Sequence, residues 1–114
     1  MWAKVCRTGD IPEGNMKGVE AGDKEILVAN IGGRFYAIGN RCPHMNGKLS
    51  EGKLSQGVVT CPRHGSQFDV TDGRMVRWAQ MPPLVGALSR LVRPPRPATA
   101  YPAKVEGDEV LVEV

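Results

Sequence analysis

Two short stretches, RCPHMNGKLSEG and CPRHGSQFD, constrain this chain more than anything else in it. The first holds Cys42 and His44, the second Cys61 and His64, and the chain of 114 residues has no other histidine. Thiolate sulfur and imidazole nitrogen are the soft-to-borderline donors that hold transition metals. If the four residues share one site, two turns separated by sixteen residues must face each other from neighbouring strands.

The rest of the chain fits such a frame. It holds 14 Gly and 9 Pro with few aromatics, which favours a turn-rich, mostly β fold with one modest core. WAKVCR reads as a first strand ended by the turn TGDIPEG. KEILVANI and RFYAIGN flank Gly32 and Gly33, a two-residue hairpin signal. GVVTC leads into the second Cys/His pair, QFDV and RMVRW pair across TDG, and YPAKVEG and DEVLVEV close the chain as another hairpin. That makes about eight short strands. Between them, Leu84, Val85, Ala87, Leu88, Leu91 and Val92 form one helical stripe between Pro83 and Pro94, so a short helical insert is predicted near 84–93.

Charge and cysteine usage bound the function. The net charge is +3, and the stretch from Gly73 to Val105 carries six basic residues and no acid. Aromatics do not interleave these arginines, so the pattern reads as a solvated basic face or a surface for an acidic protein, not for nucleic acid. Three cysteines do not make a disulfide framework and suit a reducing compartment. With no secretory signal and no apolar run of membrane-spanning length, a cytoplasmic protein without a membrane span is expected. Cys6 reads as a buried inert thiol, and Trp2 and Trp78 as core or rim packing.

The four donors alone admit a structural zinc or a binuclear iron–sulfur cluster. Cys-x-His is tight for a zinc knuckle, and both pairs follow strands. The pattern C-x-H, sixteen residues, C-x-x-H resembles the Rieske iron–sulfur proteins, its halves standing here as CPHMNG and CPRHGS. The resemblance implies an all-β, antiparallel sandwich or barrel-like domain over 1–114, with a cluster-binding subdomain of two loops at about 40–80. It implies one [2Fe–2S] cluster per chain, with Cys42 and Cys61 on one iron and His44 and His64 on the other. Cytochrome bc subunits of this family join the loops through a disulfide, but the matching positions here are Gly47 and Arg63. The chain is instead similar to the soluble ferredoxins that serve ring-hydroxylating oxygenases, and it has no length for a catalytic domain of its own.

Neutral imidazoles in place of two thiolates bring the oxidised cluster from a charge of about −2 to about 0, which raises its potential by roughly 250 mV or more. By the same resemblance, Ser66 matches a serine that bonds a cluster sulfide, and Phe68 stands where high-potential members carry a tyrosine. A potential below that class follows. Pro43 and Pro62 stiffen the loops, and Gly47 and Gly65 are expected to let backbone N–H groups point at sulfides. Arg41, Lys48, Lys53 and Arg63 against Glu51 predict a basic rim for an acidic docking face. The partners implied are a flavin- or NAD(P)H-dependent reductase and a terminal oxygenase, with the chain as a one-electron carrier and not itself an enzyme. A small subunit like that of assimilatory nitrite reductases is the second reading, and a structural zinc module the third.

Overall fold

The structure is a computed structural model that describes residues 1–43, 47–63, 65–77 and 96–114. The helical insert predicted near 84–93, Trp78, His44 and His64 lie outside the described residues. Among the described residues the fold is all-β, with two short 3-10 turns at Thr8–Asp10 and Leu49–Glu51 as its helical elements.

Eleven strands among the described residues form three antiparallel sheets. β1 (Trp2–Arg7), β10 (Ala103–Glu106) and β11 (Glu109–Glu113) form the first, in the order β1-β11-β10. β2 (Met16–Ala21), β3 (Lys24–Ile31), β4 (Arg34–Gly39) and β9 (Ala100–Tyr101) form the second in that order. β5 (Lys53–Ser55), β6 (Val58–Thr60), β7 (Gln67–Asp69) and β8 (Met75–Arg77) form the third. The eight strands read from the sequence are all present, and β2, β5 and β9 are added to them.

The second sheet is the middle layer and is buried on both faces. Successive strand residues point to opposite faces, so β3 supplies Leu27 and Ala29 to one core and Ile26 and Val28 to the other. The first core joins Leu27, Ala29 and Ile38 to Cys42, Leu49, Val59, Cys61, Phe68 and Val70 of the third sheet and its loops. The second joins Ile26, Val28 and Ala37 to Val110 and Val112 of the first sheet. The sequence suggests one modest core, whereas the sheet divides the apolar residues in two. The β3–β4 turn is the expected hairpin, with Gly32 and Gly33 at φ of 63° and 86°, the left-handed region open to glycine.

Trp2 and Cys6 both lie nearer the surface than a core position would. Trp2 is 38% exposed and lies under Lys104 Nζ, 4.3 Å from the ring centroid, so a cation–π contact replaces core packing there. Cys6 is half-buried, and burial together with the nearby Asp10 carboxylate pushes its thiol pKa up, which fits an inert thiol.

Two glycines allow close packing around the first Cys/His stretch and the third sheet. At Gly52 a Cβ would lie 1.9 Å from the carbonyl oxygen of Thr60, and at Gly18 it would lie 2.7 Å from Ser50 Oγ and 2.9 Å from Asn40 Nδ2. Gly18 is thus where β2 meets the turn that follows the first Cys/His loop. At Gly9, by contrast, an added Cβ meets nothing within 4 Å. Gly52→Ala is expected to destabilise the protein by about 1–3 kcal/mol through backbone displacement, read as a lower urea midpoint. Gly9→Ala should stay within about 0.5 kcal/mol of wild type; equal effects at the two sites would refute the packing argument.

Candidate metal centre

The two Cys/His stretches become two loops of the same build. The first spans 42–47 and is flanked by the bridge between Arg41 and Lys48. The second spans 61–66 and is flanked by the β6–β7 pair Thr60 and Gln67. Each is closed at its ends by a backbone bond: Cys42 N–H donates to Gly47 O at 2.8 Å, and Cys61 N–H donates to Ser66 O at 2.7 Å. Each cysteine thus opens its loop, and the residue five places on closes it.

Polar side chains, buried at the first loop and half-buried at the second, fix the bases of both loops. Asn40 is buried, its carbonyl accepts from Leu49 N–H at 2.8 Å, and its Oδ1 accepts from Ser50 N–H at 2.8 Å. It spans the whole first loop from below. Gln67 Nε2 donates to Thr60 Oγ1 at 3.2 Å across the neck of the second. Beyond that neck, Asp69 accepts from the Thr71 hydroxyl at 2.5 Å and from Arg74 Nη2 at 3.2 Å. These bonds, the Thr71 hydroxyl foremost, hold its carboxyl below the usual range.

Cys42 and Cys61 belong to one apolar cluster and are 1% and 3% exposed. None of the three cysteines is in a disulfide. The loops come close at Gly47, where a Cβ would sit 3.1 Å from Cys61 Sγ. Gly47 thus favours close approach between the loops, while Gly65, at φ 77°, serves a left-handed turn. The Gly65 N–H donates to Cys61 O at 3.2 Å, so it closes its own loop and is not the free donor expected for a sulfide.

Ser66 carries the most informative atom. Its residue is 0% exposed, and its Oγ is buried with no hydrogen-bond partner among the described residues. Leaving a buried hydroxyl unsatisfied costs about 1–3 kcal/mol, so a serine at this place fits a bound acceptor that the polypeptide does not supply. Two buried thiols on facing loops, a glycine against one sulfur and an orphaned hydroxyl beside them fit a sulfide-containing cluster. Phe68 is fully buried in β7 opposite Val59, and its ring offers no hydroxyl. Pro43 is half-buried and Pro62 exposed, each directly after its cysteine.

The surroundings revise the basic rim. Arg41 is bound to Glu25 through two contacts, Nε to Oε2 at 2.5 Å and Nη2 to Oε1 at 2.9 Å. The bonds hold the Glu25 carboxyl below its usual pKa and raise that of Arg41. This charge is balanced within the chain, and Lys24 and Arg96 join the basic side instead. A cleft of about 380 Å³ beside Cys42 and Pro43 is lined by Lys24, Glu25, Arg41 and Arg96. Arg96 Nη2 makes a long bond of 3.4 Å to the Pro43 carbonyl. Sequence reasoning missed both Asn40 and this cleft, because each depends on residues distant in the chain.

Comparison with known proteins agrees with this geometry. The model of the Rieske [2Fe–2S] domain family matches residues 1–95. The ferredoxin component of biphenyl 2,3-dioxygenase of Rhodococcus jostii is 37% identical over 111 residues, 97% of this chain and 91% of the relative. The solved complex of reduced oxygenase and oxidised ferredoxin in carbazole 1,9a-dioxygenase contains a chain 31% identical with a TM-score of 0.77, covering 97% of this chain and 91% of that one. The ferredoxin of carbazole 1,9a-dioxygenase from Nocardioides aromaticivorans, 24% identical, shares the fold at a TM-score of 0.80 over 98% of this chain and 96% of its own. Among the described residues no helix is long and apolar enough to cross a membrane. The paired loops, the buried thiols and these matches together make the chain a member of the Rieske [2Fe–2S] domain family, an electron-carrying ferredoxin that binds one such cluster.

Proposed function

We propose that this ferredoxin works in the cytoplasm, taking single electrons from a flavin- or NAD(P)H-dependent reductase and passing them to the terminal oxygenase of a ring-hydroxylating system. We place the cluster on Cys42, His44, Cys61 and His64, within one domain over 1–114 whose cluster-binding part spans about 40–80. The orphaned hydroxyl of Ser66 is the observation that carries the site. Near full-length similarity to a dioxygenase ferredoxin supports the partner system. When bound, the cluster supplies a one-electron couple.

The chain's own residues set the conditions for transfer. Prolines after both cysteines and the matching backbone closures hold the loops in one shape in either redox state. The apolar cluster around Cys42 and Cys61 keeps water from the sulfur side of the site. Ser66 Oγ is placed to donate a hydrogen bond that strengthens as negative charge accumulates. Ser66→Ala should therefore lower the reduction potential by about 60–130 mV, taking the difference at the size of a charge-assisted bond. Iron content should not change. Protein-film voltammetry checks this, and an unchanged potential with the cluster intact would show that the hydroxyl does not tune the couple.

Docking follows from charge. With Arg41 neutralised by Glu25, the cations near the two loops among the described residues include Lys24, Lys48, Arg63 and Arg96, with Lys53 beyond them. Such exposed charges act on encounter rates and are screened by salt. Arg96→Glu should slow reduction by the partner reductase several-fold at low ionic strength and converge on wild type at about 0.5 M salt, where the Debye length is only a few ångströms. A rate that is equally insensitive to the substitution at both ionic strengths would remove the cleft from the docking face.

A further inference from the structure

The facing loops touch where Gly47 of the first meets Arg63 of the second. A Cβ on Gly47 would lie 3.2 Å from Cγ and from Cδ of Arg63, as well as 3.1 Å from Cys61 Sγ. The aliphatic stem of Arg63 and the Cys61 sulfur thus both crowd the face of Gly47 where a side chain would stand. Arg63 as a residue is exposed, whereas Gly47 and Cys61 are buried. Arginine commonly lies this way, with methylenes covering an apolar surface and the guanidinium in water. Among the described residues no carboxylate pairs with that guanidinium. The contact is therefore made by the stem and not by the charge.

We propose that Arg63 is a positioning residue of the cluster site, its methylene stem laid across Gly47 as a clasp that fastens the second loop to the first. The clasp rests on the cluster reading above. Gly47 makes it possible, since any side chain there would lift the stem and press on the sulfur. No disulfide joins the loops. Each backbone ring closes only its own loop. The stem thus supplies a loop-to-loop contact that those rings do not, and it keeps water from the sulfur edge between them.

Charge and stem are separable by substitution. Arg63→Met removes the charge and keeps an unbranched stem; Arg63→Ala removes both. The experiment uses purified holoprotein, with wild-type iron and sulfide quantified first, so that failure of the cluster reading shows before any variant is compared. Release of iron to a chelator should be about tenfold faster in Arg63→Ala, the scale of uncovering one or two methylenes of surface. Arg63→Met should stay within about twofold of wild type on the same scale.

Potentials give an independent readout. A reduced cluster carries one more negative charge, so loss of the guanidinium lowers the potential in both variants, while water admitted by loss of the stem raises it again. Arg63→Ala should therefore lie above Arg63→Met. Equal release from the two variants, or release from Arg63→Ala at the wild-type rate, would overturn the clasp. If Arg63→Ala accumulates without cluster, loading of Arg63→Met supports the proposal and failure of both variants to load contradicts it. Gly47→Ala provides the partner test. Its effect on release should be less than multiplicative with that of Arg63→Ala, and fully multiplicative effects would show that the two residues do not interact.

Discussion

Two loops can share one small site only if their backbones come closer than side chains normally allow, and Gly47 sets that distance. A methyl group there would stand 3.1 Å from the Cys61 sulfur, tighter than an ordinary contact, so its neighbours would have to give by a few tenths of an ångström. Everything around it serves the approach. Asn40 binds both the backbone and the turn beyond the first loop, and the Thr60–Gln67 pair closes the neck of the second. The two loops have the same length and the same cysteine-to-fifth-residue closure, although their histidines stand at different spacings. The frame is therefore common to both halves, and the ligand pattern is written onto it.

What holds the frame is the double burial of the middle sheet. β3 sends alternate residues into two cores, so the loop-bearing third sheet and the terminal first sheet are both anchored on one strand. The cost of burying Ser66 without a partner is borne inside this packed interior, and under the proposed site an acceptor on the bound group would remove that cost. Stability of the core and tuning of the cluster are in this sense coupled through one side chain. The outer face is tuned differently. The Glu25–Arg41 pair cancels a charge beside Cys42, and solvated cations on separate segments remain to meet a partner.

Much of this was legible in the residues themselves. The β3–β4 hairpin follows from an apolar run, a β-rich second run and two glycines, and the ligand loops follow from donor chemistry and spacing. β2 was not legible, since MKGVEA carries glycine, lysine and glutamate where a strand pattern is sought, and it pairs along β3, whose run Ile26–Ala29 is apolar and buried. Gly18 in that strand is selected by Ser50 and Asn40, contacts across distant parts of the chain. The same holds at the site. Gly47 and Gly65 look alike in sequence, yet one serves close approach and the other a positive φ. Arg41 looks like a docking cation until Glu25, sixteen residues earlier, is placed beside it.

The central claim is that two facing loops hold a binuclear iron–sulfur cluster. It is tested most directly by iron, zinc and acid-labile sulfide analysis of anaerobically purified protein, with electron paramagnetic resonance before and after dithionite. Two irons and two sulfides per chain are expected, in keeping with the family's [2Fe–2S] group, with a signal that appears only on reduction. A colourless protein with one zinc, no sulfide and no signal in either state would contradict it.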